Sequence, residues 1–446
     1  MARVIRILVL ALAAVIVGPF AAAQAQRIPV VRDAEIETSI RRMMTPIFRA
    51  AALNPDAIEI FLVDDDDVNA FVAGGQNLFV NTGLILETRS ADELIGVLAH
   101  ETGHIAGGHL VRGAEQMERS KLIATIGSLL GAAAGAAAGR GDAGMAGAFT
   151  AQDMVRQNMV NFTRGIESSA DQAGLSYMAK VGIPADGLLS FLKRMQDAEL
   201  AHPDGSPYTR THPLTEDRIE AVKEAVETSS ARGRAMPPGY DDMFARMRAK
   251  LYGFTQPTSV ARVYPPSDTS LPAQYARAIA AYRNNIFADA LARTDALIRM
   301  EPRNPYFLEL RGQILLETGR LAEARPYYER AVALLPNEVL LLIPLAQTKI
   351  DRGSDAELRS AIRDLQRASV DPEKTPPIVW RLLGTAYGKV GDMGNASLAL
   401  AEDNLARGDK PNARAQVERA LQLLPRGSPG WRRAQDLQRQ AEDKPG

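Results

Sequence analysis

A five-residue motif, His100-Glu101-Thr102-Gly103-His104, has the residue types and spacing of a metal site. On an α-helix, two histidines four residues apart share one face, so both imidazoles can bind one metal ion. Glu101 then lies beside the metal rather than on it. Neutral imidazoles are zinc ligands, and a neighbouring carboxylate can take a proton from a metal-bound water whose pKa is about 7. The motif predicts a hydrolytic zinc centre; the alternative is a surface helix with two solvated histidines.

A third protein ligand has to come from outside this motif. One class of zinc protease would need a histidine where this chain has Leu110. On a continued helix His109 would point away from His100, so we expect it to be a packing or solvated residue. Glu167 and Asp171 are spaced to share a face of a second helix. One carboxylate can complete the ligand set and the other can accept the outer N–H of a ligating histidine, although this spacing also occurs on solvated helices.

The helix that carries the motif has a predicted start and stop. Ser90 and Glu93 form a Ser-x-x-Glu capping box. Gly107-Gly108 is a natural end for the helix.

The segments before this helix predict a small α+β unit. An apolar spacing of three and four residues indicates an amphipathic helix from Arg32 to Leu53, and Ala57–Val63 follows as a strand. The four acids at Asp64–Asp67 are expected to form a solvated turn. A hairpin with strands at Asn69–Phe71 and Asn77–Asn81 comes next. Its free edge could pair with an extended peptide, or the hairpin is an ordinary part of the sheet.

The spacing of these motifs resembles a known family. His-Glu-x-x-His is followed by Arg164-x-x-Glu-x-x-Ala-Asp-x-x-Gly174 and then by Thr211-His212-Pro213. This order resembles the HtpX and CAAX-prenyl-protease family of gluzincin zinc peptidases, from about Asp33 to Arg248. With a secretion signal and helical repeats, the chain is most similar to the soluble periplasmic branch of that family. The resemblance implies one zinc ion on His100, His104 and Glu167, Glu101 as general base, and Asp171 as the partner of a ligating histidine.

The Thr-His-Pro loop adds two candidate residues to the site. His212 could stabilise the oxyanion of the reaction, replace the water on zinc in a closed state, or form only local hydrogen bonds. Arg218 could orient this loop or a substrate carboxylate, or lie on a helix surface. His202 lacks the surrounding motif and is left out of the site.

The segment between the two ligand helices, residues 126–149, is dense in glycine and alanine. Its hydrophobicity is too low for a membrane-spanning helix. A mobile flap, a weak contact with a membrane surface and a disordered loop all fit its composition.

The C-terminal part of the sequence contains helical repeats. A proline-rich linker is predicted at residues 254–271. Beyond it, Pro302 and Pro336 lie one 34-residue period apart, and Trp380–Tyr387 matches the tetratricopeptide pattern W-x-x-L-G-x-x-Y. The helix from about Asn395 to Ala406 is expected to close one hairpin and open the next. We therefore predict about four helix pairs and a capping helix over residues 272–440.

Composition and the N-terminus indicate an exported protein. Two arginines, an apolar run and Ala23-Gln24-Ala25 predict a cleaved signal peptide at residues 1–25, followed by a peptidase domain at residues 26–253. Cleavage would leave 50 basic and 53 acidic side chains, so no electrostatic argument favours nucleic acid. The chain has no cysteine and hence no disulfides.

The predicted fold is a mainly helical α+β zincin-type metalloprotease domain with a small edge-exposed sheet, followed by an all-α tetratricopeptide solenoid. Together with the predicted signal peptide, the family resemblance implies a periplasmic zinc endopeptidase in envelope and outer-membrane protein quality control. The expected partners are unfolded or misassembled envelope proteins and, through the repeat groove, the outer-membrane assembly machinery; nucleic acid is excluded and membrane contact is peripheral at most. The alternative is a chaperone or assembly adaptor with a latent protease site. A purely structural zinc module is disfavoured because Glu101 would have no role there.

Overall fold

The computed structural model describes residues 29–109, 111–113, 115, 141–201, 207–351, 353–372 and 374–442. The predicted signal peptide, His202 and residues 126–140 of the Gly/Ala-rich segment lie outside this part of the chain. Residues 141–149 form the start of a helix. The described residues are mainly helical with a four-stranded sheet, which confirms the predicted fold class.

The sheet has the strand order β1-β2-β4-β3. Strands β2 and β4 are parallel, whereas β3 and β4 form the predicted antiparallel hairpin, with Phe71 opposite Phe79. Alternate residues, among them Leu62 and Val80, are buried beneath the sheet. Strand β3 lies at one edge, as the sequence predicts. The strands are β1 (Val30–Val31), β2 (Glu59–Val63), β3 (Ala70–Ala73) and β4 (Asn77–Asn81).

The first helix, α1 (Ala34–Ala50), forms because its apolar residues fall on one face. Asp33 is the N-cap and accepts a hydrogen bond of 2.9 Å from the backbone N–H of Ile36. The predicted apolar stripe is fully buried: Ile36, Ile40, Met43, Met44, Ile47 and Phe48 are at most 1% exposed. This helix packs against the helix that carries the metal motif.

That helix, α3 (Ala91–Gly107), starts and stops as predicted, but the capping box is wrong. Ser90 is the N-cap residue without a side-chain hydrogen bond. Glu93 instead binds the Arg194 guanidinium at 2.9 Å and the backbone N–H of Arg89 at 2.8 Å. A buried carboxylate is more stable with an arginine than with a backbone N–H alone, which explains the difference. Gly108, with φ of 61°, ends the helix in the left-handed conformation.

The other helices of this domain surround α3, which is buried along most of its length and packs against α4 and α5. Helix α4 is 41 residues long and supplies the second set of site residues from its C-terminal half. The remaining bounds are α2 (Thr82–Glu87), α4 (Gly141–Val181), α5 (Asp186–Ala201), α6 (Pro207–Thr211), α7 (Glu216–Thr228) and α8 (Tyr240–Thr255).

The repeat region has ten helices between Leu271 and Glu442 among the described residues, one more than predicted. Helix α17 packs against both α16 and α18, so it does close one hairpin and open the next, as expected. The extra helix follows because α18 and α19 form a further pair. The bounds are α10 (Leu271–Arg283), α11 (Phe287–Met300), α12 (Pro305–Glu317), α13 (Leu321–Leu334), α14 (Val339–Ile350), α15 (Asp355–Ala368), α16 (Pro377–Lys389), α17 (Met393–Ala406), α18 (Lys410–Leu423) and α19 (Pro429–Glu442).

The predicted linker is a packed connection. It contains the end of α8 and the short helix α9 (Val260–Val263), and Val260 is buried in a cluster with Ala249 and Ala276. Ion pairs also join the two regions, since Arg246 binds Glu301 through both guanidinium N–H groups at 2.6 and 2.7 Å. No helix within the described ranges has the length and apolar character needed to cross a membrane.

Candidate metal centre

Two glycines allow the ligand helices α3 and α4 to touch through their backbones. A Cβ atom on Gly103 would lie 2.7 Å from the carbonyl oxygen of Ala170, and one on Gly174 would lie 2.9 Å from the carbonyl carbon of Ala99. Both distances are too short for a side chain. The close approach brings the carboxylates of α4 into reach of the histidines of α3.

Four potential ligands converge on one point: His100 and His104 from α3, Glu167 from α4, and His212 from the loop after α6. One ligand atom from each lies within 4.8 Å of the other three. The Nε2 atoms of His100 and His104 are 3.0 Å apart, and the carboxylate oxygens of Glu167 lie 3.4 Å from each of them. His212 Nδ1 is 3.1 Å from Glu167 and 3.3 Å from His100.

These separations fit a tetrahedral zinc ion. Zinc binds imidazole nitrogen and carboxylate oxygen at about 2.0–2.2 Å, which puts neighbouring ligand atoms roughly 3.3 Å apart. Two histidines and one glutamate are also the donor set of a catalytic zinc site, with the fourth position left for water or substrate. His100, His104 and Glu167 therefore have the composition and spacing that a zinc ion requires, and His212 lies next to them.

The ligands differ in their charge states. Burial would raise the pKa of Glu167, but hydrogen bonds from His100 and His212 outweigh it and lower the pKa. Burial and the neighbouring His100 lower the pKa of His104 to about 2, so its imidazole is neutral. Burial would also lower the pKa of His100, yet Asp171 and Glu167 raise it to about 10. A metal ion would displace that proton, because a ligating imidazole must be neutral.

Asp171 orients His100 from behind the ligand set. Its Oδ1 atom accepts a hydrogen bond of 2.7 Å from Nδ1 of His100, which directs Nε2 toward the other ligands. Arg218 donates to both carboxylate oxygens of Asp171, at 2.8 and 3.0 Å, and to the carbonyl oxygen of Pro213 at 2.8 Å. Arg218 is 4% exposed, so the alternative of a surface arginine is wrong. It joins α4 to the Thr-His-Pro loop.

His109 has a contact that the sequence did not predict. The helix ends before it, so the turn reverses direction and brings its Nδ1 atom to 3.1 Å from Nδ1 of His104. It is buried and lies outside the group of four ligands, as expected. His109 thus faces Nδ1 of His104, the ring nitrogen that points away from the other ligands, in the same way that Asp171 faces Nδ1 of His100. In the sequence, Gly108 is the residue that could have indicated this contact, because a glycine in the left-handed conformation reverses the direction of the chain.

Glu101 faces His212 across the site. Its Oε1 atom lies 3.4 Å from Nε2 of His212, and neither atom has a hydrogen-bond partner among the described residues. Glu101 is 1% exposed, and burial raises the pKa of its carboxyl. A buried carboxyl with a raised pKa and an oxygen free of hydrogen bonds can accept and return a proton, as a general base must.

Tyr208 supports the loop that carries His212 and was missed by sequence reasoning. Its carbonyl oxygen accepts a hydrogen bond of 2.7 Å from the backbone N–H of His212, and the two rings are 5.0 Å apart. Thr211 donates to the side-chain oxygen of Asn69 at 3.3 Å, just before strand β3. The loop therefore contacts the start of the hairpin whose strand β3 forms the sheet edge.

Comparisons with known proteins find relatives of both parts of the chain. Residues 31–226 match peptidase family M48, and residues 275–339 match a tetratricopeptide repeat family. The beta-barrel assembly-enhancing protease of Escherichia coli (strain K12) is 26% identical over 370 residues, 82% of this chain and 73% of that protein. A Vibrio cholerae protein, provisionally given the same name, is 29% identical over 421 residues, 90% of this chain and 81% of that protein.

Protease HtpX of Psychrobacter sp. (strain PRwf-1) is 27% identical over 210 residues, 40% of this chain and 67% of that protein. The resemblance to the HtpX family and to its repeat-containing branch, expected from the motifs, is confirmed. The chain therefore carries a peptidase M48 domain at residues 31–226, followed by tetratricopeptide repeats, and is a metallopeptidase.

Proposed function

We propose that this protein is a periplasmic zinc endopeptidase that hydrolyses misfolded or stalled envelope proteins, with its repeats binding the client or a partner protein. The observation that carries the proposal is the convergence of His100, His104 and Glu167, with the Oε1 atom of Glu101 buried beside them and accepting no hydrogen bond from the described residues. The relatives named beta-barrel assembly-enhancing protease support an envelope role. The predicted signal peptide supports export.

In this proposal His100, His104 and Glu167 hold the metal. Zinc, when bound, acts as a Lewis acid that lowers the pKa of water and polarises the peptide carbonyl. Asp171 holds His100 in the tautomer that leaves Nε2 free for the metal. Arg218 holds Asp171 and the loop of His212 in fixed relative positions.

Glu101 is the proposed general base. Its carboxylate takes a proton from the attacking water and later gives it to the leaving amine. Burial raises the pKa of Glu101, which brings it closer to the pH at which one group can perform both transfers. The closed surroundings also keep bulk water away from the reacting carbonyl.

Strand β3 is the proposed substrate-binding edge. A peptide that pairs with this edge must have free backbone N–H and C=O groups, which a folded protein has already used. The contact between Thr211 and Asn69 supports the proposal, because it links the edge to the loop of His212. Selection for unfolded or stalled polypeptide follows from this requirement.

His212 is proposed to close the site. Its Nδ1 atom lies 3.1 Å from Glu167 and 3.3 Å from His100, within the group of potential ligands, which supports a role as the fourth ligand. A histidine at the fourth position would exclude water until the loop moves. The same feature favours a second candidate function, an assembly adaptor whose protease is latent.

One experiment separates the two functions. Residues 26–446 would be incubated with an outer-membrane β-barrel protein in its unfolded form and in its folded form. We expect the chain to cleave only the unfolded form, and Glu101→Gln to bind it without cleavage. If Glu101→Gln restores envelope function in cells as well as the unaltered protein does, the adaptor function replaces the protease function.

A further inference from the structure

A cavity separates the peptidase domain from the repeats. It has a volume of about 500 Å³ and is lined by α1 and α8 on one side and by α10, α12 and α14 on the other. We call it the interdomain cavity and define it by Asp33, Lys250, Tyr275, Tyr306, Glu309 and Leu310. It lies apart from the metal centre, since its lining includes none of the four ligands.

The buried cation in this cavity is already neutralised. The Nζ atom of Lys250 lies 2.8 Å from Asp33 and 3.3 Å from Glu35. The hydroxyl of Tyr275 donates a hydrogen bond of 2.8 Å to Glu35. At the rim, Arg32 forms two hydrogen bonds with Glu37, at 2.8 and 3.0 Å. Lys250 and Arg32 are therefore both already paired with carboxylates.

Glu309, on the opposite wall of the cavity, is by contrast not fully paired. Its Oε2 atom is buried and has no hydrogen-bond partner in the described part of the chain. The side chain as a whole keeps some accessible surface because it faces the cavity. Burial raises the pKa of Glu309 to about 8, with Lys250 opposing that rise and Asp33, Glu35 and Glu338 adding to it. A buried carboxyl without a partner is costly, and a cation in the cavity would relieve that cost.

We propose that the interdomain cavity binds the lysine or arginine side chain of a polypeptide, with Glu309 as its ion-pair partner. The apolar stem of such a side chain would lie against Phe254 and Leu310, while its charged head reaches the carboxylate. A divalent metal ion fits less well, because it needs several oxygen ligands, and the lining carboxylates Asp33 and Glu317 are engaged by Lys250 and Tyr282. Helices α10, α12 and α14 belong to the repeats, and stacked repeats bind extended segments of this kind.

The site gives the repeats a chemical preference. A basic side chain in a client would be held at the junction of the two domains while the rest of its chain extends toward the peptidase domain. This preference is independent of cleavage, so it can be measured in Glu101→Gln.

The test uses the full chain with Glu101→Gln and two labelled peptide pools. The pools share random Gly, Ala and Ser flanks and differ at one central position, lysine or norleucine. Fluorescence anisotropy at 0.15 M salt is expected to show roughly 10- to 100-fold tighter binding of the lysine pool, the ratio for one charged hydrogen bond. Adding Glu309→Gln should abolish the difference, and Glu309→Asp should retain part of it.

Glu329→Gln is the matched control, because Glu329 is exposed on α13 and outside the cavity. It should leave the preference for lysine unchanged. Thermal unfolding of Glu309→Gln should match that of its parent, which would exclude misfolding as the cause. The proposal is overturned if the parent binds both pools equally, or if Glu309→Gln keeps the preference.

Discussion

Asp171→Asn tests how the structure prepares His100 for metal binding. The substitution keeps the size of the side chain but removes the negative charge that faces Nδ1 of His100 at 2.7 Å and Arg218 at 2.8 and 3.0 Å. Carboxylate partners of this kind change metal affinity by about 10- to 100-fold. We therefore expect zinc affinity to fall by that factor, equivalent to about 1.4–2.8 kcal/mol.

The assay is competition for zinc between the protein and a chromophoric chelator at pH 7. Asp197→Asn is the matched control, since Asp197 is exposed on α5 and is not one of the residues of the site. Arg218 keeps the carbonyl of Pro213 at 2.8 Å and Glu167 at 3.1 Å in the variant, so the metal-free protein should remain folded. Thermal unfolding without metal checks this point separately.

The reasoning would be refuted by a zinc affinity of Asp171→Asn within twofold of the control. That result would mean that packing alone holds the imidazole in place. A loss of affinity accompanied by unfolding of the metal-free protein would instead assign Asp171 to stability.

Three other substitutions give separate checks. His212→Ala should retain zinc and cleave an unfolded protein several-fold faster, because the fourth position opens; slower cleavage would indicate an oxyanion role instead. Gly103→Ala should lower the unfolding free energy by about 1–3 kcal/mol and weaken zinc binding, since its Cβ would lie 2.7 Å from Ala170. Gly165→Ala is the control, because a Cβ atom there would have no neighbour within 4 Å and should change neither property. Glu93→Gln should cost about 2 kcal/mol at pH 7 by removing the partner of Arg194. Burial would raise the pKa of Glu93, but the hydrogen bonds from Arg194 outweigh it and lower the pKa. The stability lost in Glu93→Gln should therefore shrink and disappear as the pH falls below 4.5, which urea titrations at several pH values would measure.

The sequence predicts the parts of the site that depend on helical spacing. His100 and His104 share a face, and so do Glu167 and Asp171, because residues four apart lie one turn apart on any α-helix. The apolar stripe of α1 and the hairpin before α3 follow from the same periodic patterns. These predictions need no knowledge of which helices touch.

The parts that the sequence does not predict depend on contacts between distant segments. Glu93 fits a capping box locally, but Arg194 from α5 binds it in the folded chain. His109 faces His104 only because Gly108 reverses the chain. Glu309 has a buried oxygen without a hydrogen bond at a place where two domains meet, and no local sequence pattern predicts a contact between domains.

The zinc content of two single variants tests the central claim, that Glu167 binds the metal and Glu101 only moves a proton. Both carboxylates are buried beside the same histidines, so the two variants make the same chemical change in the same surroundings and can be compared directly. After dialysis against a zinc buffer, we expect Glu101→Gln to hold one zinc ion per chain and Glu167→Gln to hold far less. A full zinc ion in Glu167→Gln, or its loss from Glu101→Gln, would contradict the account.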